Sequence, residues 1–277
     1  MVNLRGAEIM RIENMVSDKL FKKARLYLRK SEIKPKDFLD FYNQEEIQRN
    51  EDYVEGMEKK FTQEDSSEEA ENSKLATVFE AIMHDQVELN EWLGSDVATI
   101  KTARYDDIVN GIDTIAEINR DKHHASYIGL AIDVTFSADV HKKIQNIKEK
   151  IKKGQLAKIK YFKPDKFRGE LSQIPKVVVG ANRNTICELA QLWLEGNNKK
   201  LAEHPIQFSI LDQILAQLET YEEYARKNNQ GKIAEIYSKT HKVIKEIYDK
   251  KETAAKDTGV RDSMFEKIIE AMDNFDN

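Results

Sequence analysis

The sequence predicts an α/β protein: a small mixed β-sheet with flanking helices, and helical arms at both ends. Three observations lead there. Only 11 glycines and 4 prolines occur in 277 residues, too few turn residues for an all-β sandwich or barrel. Apolar residues recur at helical spacing in the first and last thirds. Between them the period changes to short β-branched runs. The apolar fraction of 40% suffices for a core in a chain of this length.

The elements follow in order. Over residues 1–60, Met10, Met15, Leu20, Phe21, Leu26 and Leu28 recur at helical spacing among lysines and arginines, and Pro35 opens a second segment with Phe38, Leu39, Phe41 and Tyr42. Residues 63–73 (QEDSSEEAENS) are acidic and almost free of apolar side chains. Such a stretch buries too little surface to offset its ordering entropy and reads as a linker. Leu75, Val78, Phe79, Ile82 and Leu89 then form a helical stripe that stops near Gly94. Ile112–Ile118 and Tyr127–Phe136 read as strands. A basic helix covers about 138–153, ending at Gly154. Ala157–Phe162 alternates as a strand, and Lys176–Val179 is another. Gly180 then leads into a helix with Ile186, Leu189, Ala190, Trp193 and Leu194. Beyond His204-Pro205, three apolar stripes read as helices, and Gly231 separates the first two into a helical hairpin. The chain thus divides into a helical region 1–62, an acidic linker 63–73, an α/β core 74–200 and a helical region 201–277.

Several function classes drop out. The glycines are never close enough for a G-x-G, which removes the dinucleotide fingerprint, the P-loop and the kinase glycine loop. One cysteine, Cys187, excludes a disulfide framework and a cysteine-based zinc site. No apolar run reaches the ~20 residues of a membrane span. Arg5, Glu8 and Arg11 interrupt any signal-peptide core. The expectation is a cytoplasmic protein without a membrane partner.

Two acids interrupt the predicted strands. In the first, alternation sets Asp113, Ile115 and Glu117 on one face, and Ile112, Thr114, Ala116 and Ile118 on the other. In the second, Ile128, Leu130, Ile132, Val134 and Phe136 make an apolar face opposite Asp133 and Thr135. An acid within an apolar strand is costly to bury unless paired, protonated or bound to a cation. Two such strands side by side suit a hard-oxygen site for Mg²⁺ or Mn²⁺. The alternatives are a turn role for Asp113 and an ion pair for Asp133. Asp106 and Asp107, just before the first strand, are the other candidate ligands or else turn residues.

An acidic helix, a strand with an Asp, a strand reading apolar-apolar-acid and then a helix resemble the core of the PD-(D/E)XK nuclease superfamily, over about residues 73–195. The resemblance implies a restriction-endonuclease-like fold and metal-dependent phosphodiester hydrolysis on DNA or RNA. It implies that Asp113 and Asp133, with Glu80 from the preceding helix, hold Mg²⁺ or Mn²⁺. Thr135 stands where the family has its lysine. Lys142 or Lys143, on the following helix, is the candidate replacement. Without that lysine, the alternative is a catalytically inactive nucleic-acid-binding or scaffold protein, with the helical arms making contacts to a protein partner or a second copy.

A basic segment follows. Residues 141–170 carry eleven Lys and Arg against three acids, in a chain whose net charge is −5. That asymmetry matches a phosphate-backbone contact. Lys158, Lys160, Lys163, Lys166 and Arg168 are the candidate nucleic-acid residues, with Tyr161, Phe162 and Phe167 as stacking platforms. A solvated face is the other reading. His123-His124 reads as a hairpin loop. Cys187, Trp92 and Trp193 read as core. Met264, Phe265, Ile268 and Met272 read as packing or as a docking face.

Overall fold

The computed structural model describes residues 18–64, 67–119, 125–134, 139–164, 168–254, 257 and 259–275. The first helix, α1, covers 18–31. A single 3-10 turn at Pro35–Phe38 leads into α2 (Gln44–Glu64), and α3 (Ser67–Asn90) follows. The sheet region runs β1 (Val97–Lys101), α4 (Arg104–Asn110), β2 (Thr114–Asn119), β3 (Ala125–Val134), α5 (Asp139–Lys152), β4 (Ala157–Phe162), β5 (Gly169–Ile174), β6 (Lys176–Ala181) and α6 (Arg183–Glu195). The C-terminal helices are α7 (Asn198–Ala202), α8 (Ile206–Lys227), α9 (Gly231–Ala254) and α10 (Ser263–Met272).

The mixed α/β class holds. A four-stranded sheet has the order β1-β2-β3-β6, and β4-β5 form a separate hairpin. β1, β2 and β3 are an antiparallel meander, with Thr99 opposite Ala116 and Ala116 opposite Ile128. β6 lies parallel to β3. A parallel pair needs a long crossover, and α5 with the β4-β5 hairpin supplies it. Period-two alternation splits the sheet's two faces between two cores. Ala116, Ile118 and Ile128 join the main core with Val78, Phe79 and Ile82 of α3. Ile115 joins Ile112, Ala157, Ile159, Phe162 and Ile174 in a second core under the hairpin.

β6 would leave one edge of the sheet unpaired. Two glutamines one helical turn apart on α8 close it. Gln217 accepts from Val178 N at 2.8 Å and donates to Val178 O at 2.7 Å. Gln213 does the same for Gly180, at 2.9 and 3.0 Å. The helix thereby satisfies the backbone groups that another strand would otherwise claim. At the far end, Asp262 caps α10 through Met264 N and also accepts from Asn182 N and Thr185 Oγ1, so the starts of α6 and α10 are tied together.

The structure departs from the sequence reading in five places. The acidic stretch is helical from Ser67 onward, as the start of α3. Carboxylates in a first turn favour the helix dipole, and Glu71 is ion-paired with Arg183 of α6. β1, α4 and β5 are additional elements. β2 starts at Thr114, so Asp113 is a bend residue and alternation does not extend to it. Ile112 accordingly packs in the same core as Ile115, against the parity expectation. Cys187 is exposed rather than core. Trp92 and Trp193 are buried as expected, as are Met264, Ile268 and Met272. Residues 1–17, His123, His124, Thr135 and Phe136 lie outside the described residues.

Candidate functional site

A buried polar cluster sits where α3 crosses the β1-β2 end of the sheet. Lys101 is the last residue of β1 and lies opposite Thr114, the first of β2. Both side chains face α3, and both are buried. Lys101 Nζ is 2.8 Å from Glu80 Oε1 and 3.7 Å from Asp107 Oδ2. It also donates to the carbonyl of Asp113 at 3.2 Å. Thr114 Oγ1 donates to Glu80 Oε1 at 3.1 Å. His84 Nε2 is 2.8 Å from the same hydroxyl. A hydroxyl has one proton. With that proton on Glu80, His84 must present Nε2–H to the oxygen. Burial and Lys101 lower the His84 pKa to about 3, so this imidazole is neutral.

Three carboxyls crowd here. Burial raises the pKa of Glu80, against Lys101. Burial also acts on Asp107, but Lys101 and Arg104 outweigh it and hold its carboxyl below the usual range. Asp113 is the one that yields. Burial, then Asp107 and Glu80, push its pKa up to about 7. The Asp113 carboxyl hydrogen-bonds to Asp107, as expected of two acids sharing a proton. Burial works against the charge on Lys101, yet Glu80, Asp107 and Asp113 more than compensate and keep it protonated. Arg104 clasps Asp107 from outside and Glu58 of α2 beyond it.

Gly111 closes α4 in the left-handed conformation at φ 61°. A Cβ there would stand 2.8 Å from Lys176 Nζ. That ammonium ends a flexible side chain and can shift, so the left-handed backbone is what favours glycine here; Lys176 Nζ donates to Asn110 O at 3.1 Å.

Each expected residue has its place. Glu80 and Asp113 come together in the cluster, joined through Lys101. Asp107 joins them; Asp106 does not. The Asp106 carboxylate accepts from Lys160 N, Tyr161 N and Asn110 Nδ2 at 2.8, 3.0 and 2.8 Å, and so clamps β4 to α4. Asp133 lies in β3 with its backbone opposite Gly180 of β6; its side chain is outside the described residues. Lys142 is exposed on α5, and Lys143, half-buried, acts electrostatically on Asp113. Sequence reasoning missed Lys101, Arg104 and Lys176. The one trace of Lys101 was a lysine continuing the buried alternation of V-A-T-I-K.

The basic segment is largely engaged within the chain. Lys160 Nζ is 2.5 Å from Glu46 and lies over the rings of Tyr42, Tyr105 and Tyr161. Lys163 pairs with Asp37 at 2.9 Å. Arg168 pairs with Asp40 and covers Phe41. Lys158 is exposed; Lys166 and Phe167 are outside the described residues. Tyr161 and Phe162 are fully buried, so neither is a platform for a base.

No family model, curated protein or solved structure matches the chain. No helix among the described residues is long and apolar enough to cross a membrane. Also among these residues, no three His, Cys, Asp or Glu side chains converge as a metal site. The donors present are carboxylate and carbonyl oxygens, the set that hard cations prefer. Asp113, whose pKa burial and then its negative neighbours raise to about 7, is a carboxyl at which a divalent cation can displace the proton.

Proposed function

We propose that the protein is a metal-dependent nuclease of PD-(D/E)XK type, acting on DNA or RNA. One observation carries this reading. The helix acid and the first-strand acid of the sequence pattern, Glu80 and Asp113, meet in one buried cluster with a lysine between them. The order around the sheet also supports it: acidic helix, β2, β3 with Asp133, then helix α5.

Asp113 and Asp133 would hold Mg²⁺ or Mn²⁺, with Glu80 completing the shell directly or through water. Such an ion lowers the pKa of a bound water and stabilises charge on phosphate oxygens. The chain's own groups prepare the site. Lys101 opposes the burial that raises the Glu80 pKa and helps hold Asp107 ionised. His84, neutral, orients the Thr114 hydroxyl onto Glu80. Lys143, electrostatically coupled to Asp113, takes the part that Thr135 leaves open and neutralises developing charge.

A second reading, an inactive nucleic-acid-binding or scaffold protein, draws on Lys101 itself, whose ammonium stands among Glu80, Asp107 and the Asp113 carbonyl. One assay separates the two. Purified protein is incubated with labelled single- and double-stranded DNA and RNA, with Mn²⁺ or with chelator. Cleavage in Mn²⁺ is expected, abolished by Asp133→Ala and by Asp113→Asn, while Asp133→Ala leaves binding intact. Lys143→Ala should slow cleavage far more than Lys142→Ala. Binding without cleavage under every condition overturns the nuclease reading in favour of the second.

A further inference from the structure

Helix α1 has two faces. Leu20, Ala24 and Leu28, four residues apart, are buried in the main core. On the other side Lys19, Lys22, Lys23, Leu26, Arg29 and Lys30 are exposed. Their spacing of i, i+3, i+4, i+7, i+10 and i+11 sets them on one stripe. At 1.5 Å per residue, its five cations span about 17 Å. Asp18 is the one acid in the helix, and it pairs with Lys74 at 2.8 Å. Lys23 lies over the Trp193 ring at 3.8 Å. Asp18, Asp85 and Glu32 interact electrostatically with Lys22, Lys23 and Arg29, but among the described residues none of the five cations has a carboxylate in ion-pair range. The hairpin is built differently. There Lys160, Lys163 and Arg168 are paired with Glu46, Asp37 and Asp40. The stripe therefore presents a positive field to solvent, in a chain whose net charge is −5.

Charge complementarity calls for an anionic partner, and the side chains of α1 discriminate among the kinds. A lipid surface is held by an apolar helix face that enters the headgroup boundary. That face of α1 is already in the core, which leaves Leu26 as the lone apolar side chain outside. An unpaired nucleic-acid strand is held by aromatic rings on which its bases stack. The stripe carries no ring. Phe21 is half-buried with Arg25 above it, and half-buried Tyr27 stands perpendicular to Trp193. A double helix needs neither feature. Over about 17 Å it presents roughly ten phosphates, one per ~1.7 Å of axis with both strands counted. The stripe also ends at the carboxylate cluster. Ile33, two residues beyond α1, donates its N–H to Lys101 O at 3.4 Å, at the end of β1 where Lys101 meets Glu80.

We infer that the exposed stripe of α1 is an interaction surface for the phosphate backbone of a double-helical nucleic acid, which lies along Lys19, Lys22, Lys23, Arg29 and Lys30. The inference rests on the nuclease reading for nucleic acid as the anion, but not on metal or catalysis. It moves the nucleic-acid contact from the β4-β5 hairpin to the first helix.

The test is run in chelator, so that cleavage plays no part. Binding of a fluorescein-labelled DNA duplex of about 20 base pairs, roughly two helical turns, is followed by anisotropy across a salt series, beside each of its strands alone. One variant combines Lys19→Gln, Lys22→Gln and Lys30→Gln. A control combines Lys199→Gln, Lys200→Gln and Lys232→Gln, which are equally exposed, on α7 and α9, and remove the same charge. Both should melt within about two degrees of wild type, since all six side chains are on the surface. The α1 variant should bind the duplex at least about tenfold more weakly at low salt and flatten the salt dependence by about three counterions. The control should stay within about twofold of wild type, and each single strand should bind more weakly than the duplex. Equal weakening in variant and control would overturn the stripe, because net charge would then suffice. Single strands bound as tightly as the duplex would overturn the double-helical ligand. Vesicles of phosphatidylserine and phosphatidylcholine that pellet the wild type and not the α1 variant, with duplex affinity equal in both, would overturn it in favour of a membrane surface. Protein that binds as expected but does not cleave in Mn²⁺ keeps this inference and loses the nuclease reading; protein that cleaves, with the α1 variant binding normally, does the reverse.

Discussion

Lys101 on β1 and Lys160 on β4 both set a lysine head group against a carboxylate, at 2.8 Å from Glu80 and 2.5 Å from Glu46. Their surroundings differ. Around Lys160, charge is balanced locally: Glu46 takes the ammonium, three tyrosine rings cover it, and Lys163 and Arg168 each have their own aspartate. Around Lys101, three carboxyls compete for one buried cation, and Asp113 is left holding a proton near neutral pH. The first arrangement joins the N-terminal region to the hairpin. The second holds electrostatic conflict that packing alone has no use for, and such conflict concentrates at functional sites.

The sharpest break of this contrast is Lys101→Met. It strands Glu80 and Asp107 without their buried cation and should cost about 3–5 kcal/mol in urea unfolding. Adding Glu80→Gln should recover part of that loss. No recovery would mean that the lysine matters for its packing and not for its charge.

Next in size is pH dependence. Asp113 has its pKa raised from 3.8 to about 7 in the folded chain. Between those values the native state binds more protons than the unfolded one, so stability falls as pH rises from about 4 to about 7. The loss should be on the order of 3 kcal/mol, lessened by coupling to Asp107. Asp113→Asn should flatten the profile. Mn²⁺ at about pH 8 should restore stability to the wild type and not to Asp113→Asn. A wild-type profile already flat in this window would remove the conflict from the cluster.

The hairpin should respond less. Lys160→Met should cost about 1–2 kcal/mol, since it ends a part-buried pair and the contact with three rings. Smallest of all, Lys163→Ala and Arg168→Ala should each cost less than ~1 kcal/mol. Both should leave oligonucleotide affinity within about twofold, because these side chains are already engaged. A large loss of binding on either change would return the nucleic-acid contact to the hairpin.

Much of the fold was legible in the chain. The α5, β4, β6 and α6 segments lie within a few residues of where period and glycine position set them, and so do α8, α9 and α10. β1 and α4 were not legible, because Val97–Lys101 and Arg104–Asn110 are too short for either period to emerge. Asp113 was singled out on a strand parity that it does not obey, since it is a bend residue before β2. The burial of Glu80 was not legible, because an acid on a helix carries no sequence mark of being enclosed. α3 is buried around most of its second half, where Glu80, His84 and Gln86 are as enclosed as Phe79 and Ile82.

By itself, the sequence determined the period of each long segment, the turn residues between segments, and hence a helix-covered sheet with helical arms. It also determined which residue types were available for chemistry: an acid on a helix, acids beside apolar strands, and a run of lysines. Only the tertiary structure decided which charges meet. Lys101 is 21 residues from Glu80 in the chain yet 2.8 Å from it in space, and Lys163 is 126 residues from the aspartate that neutralises it. Periodicity is a local property of the backbone, whereas Coulomb interactions and desolvation depend on distance in space and on burial. Two lysines alike in sequence thus become a surface ion pair with Asp37 at position 163 and a half-buried cation donating to the Asn110 carbonyl at position 176.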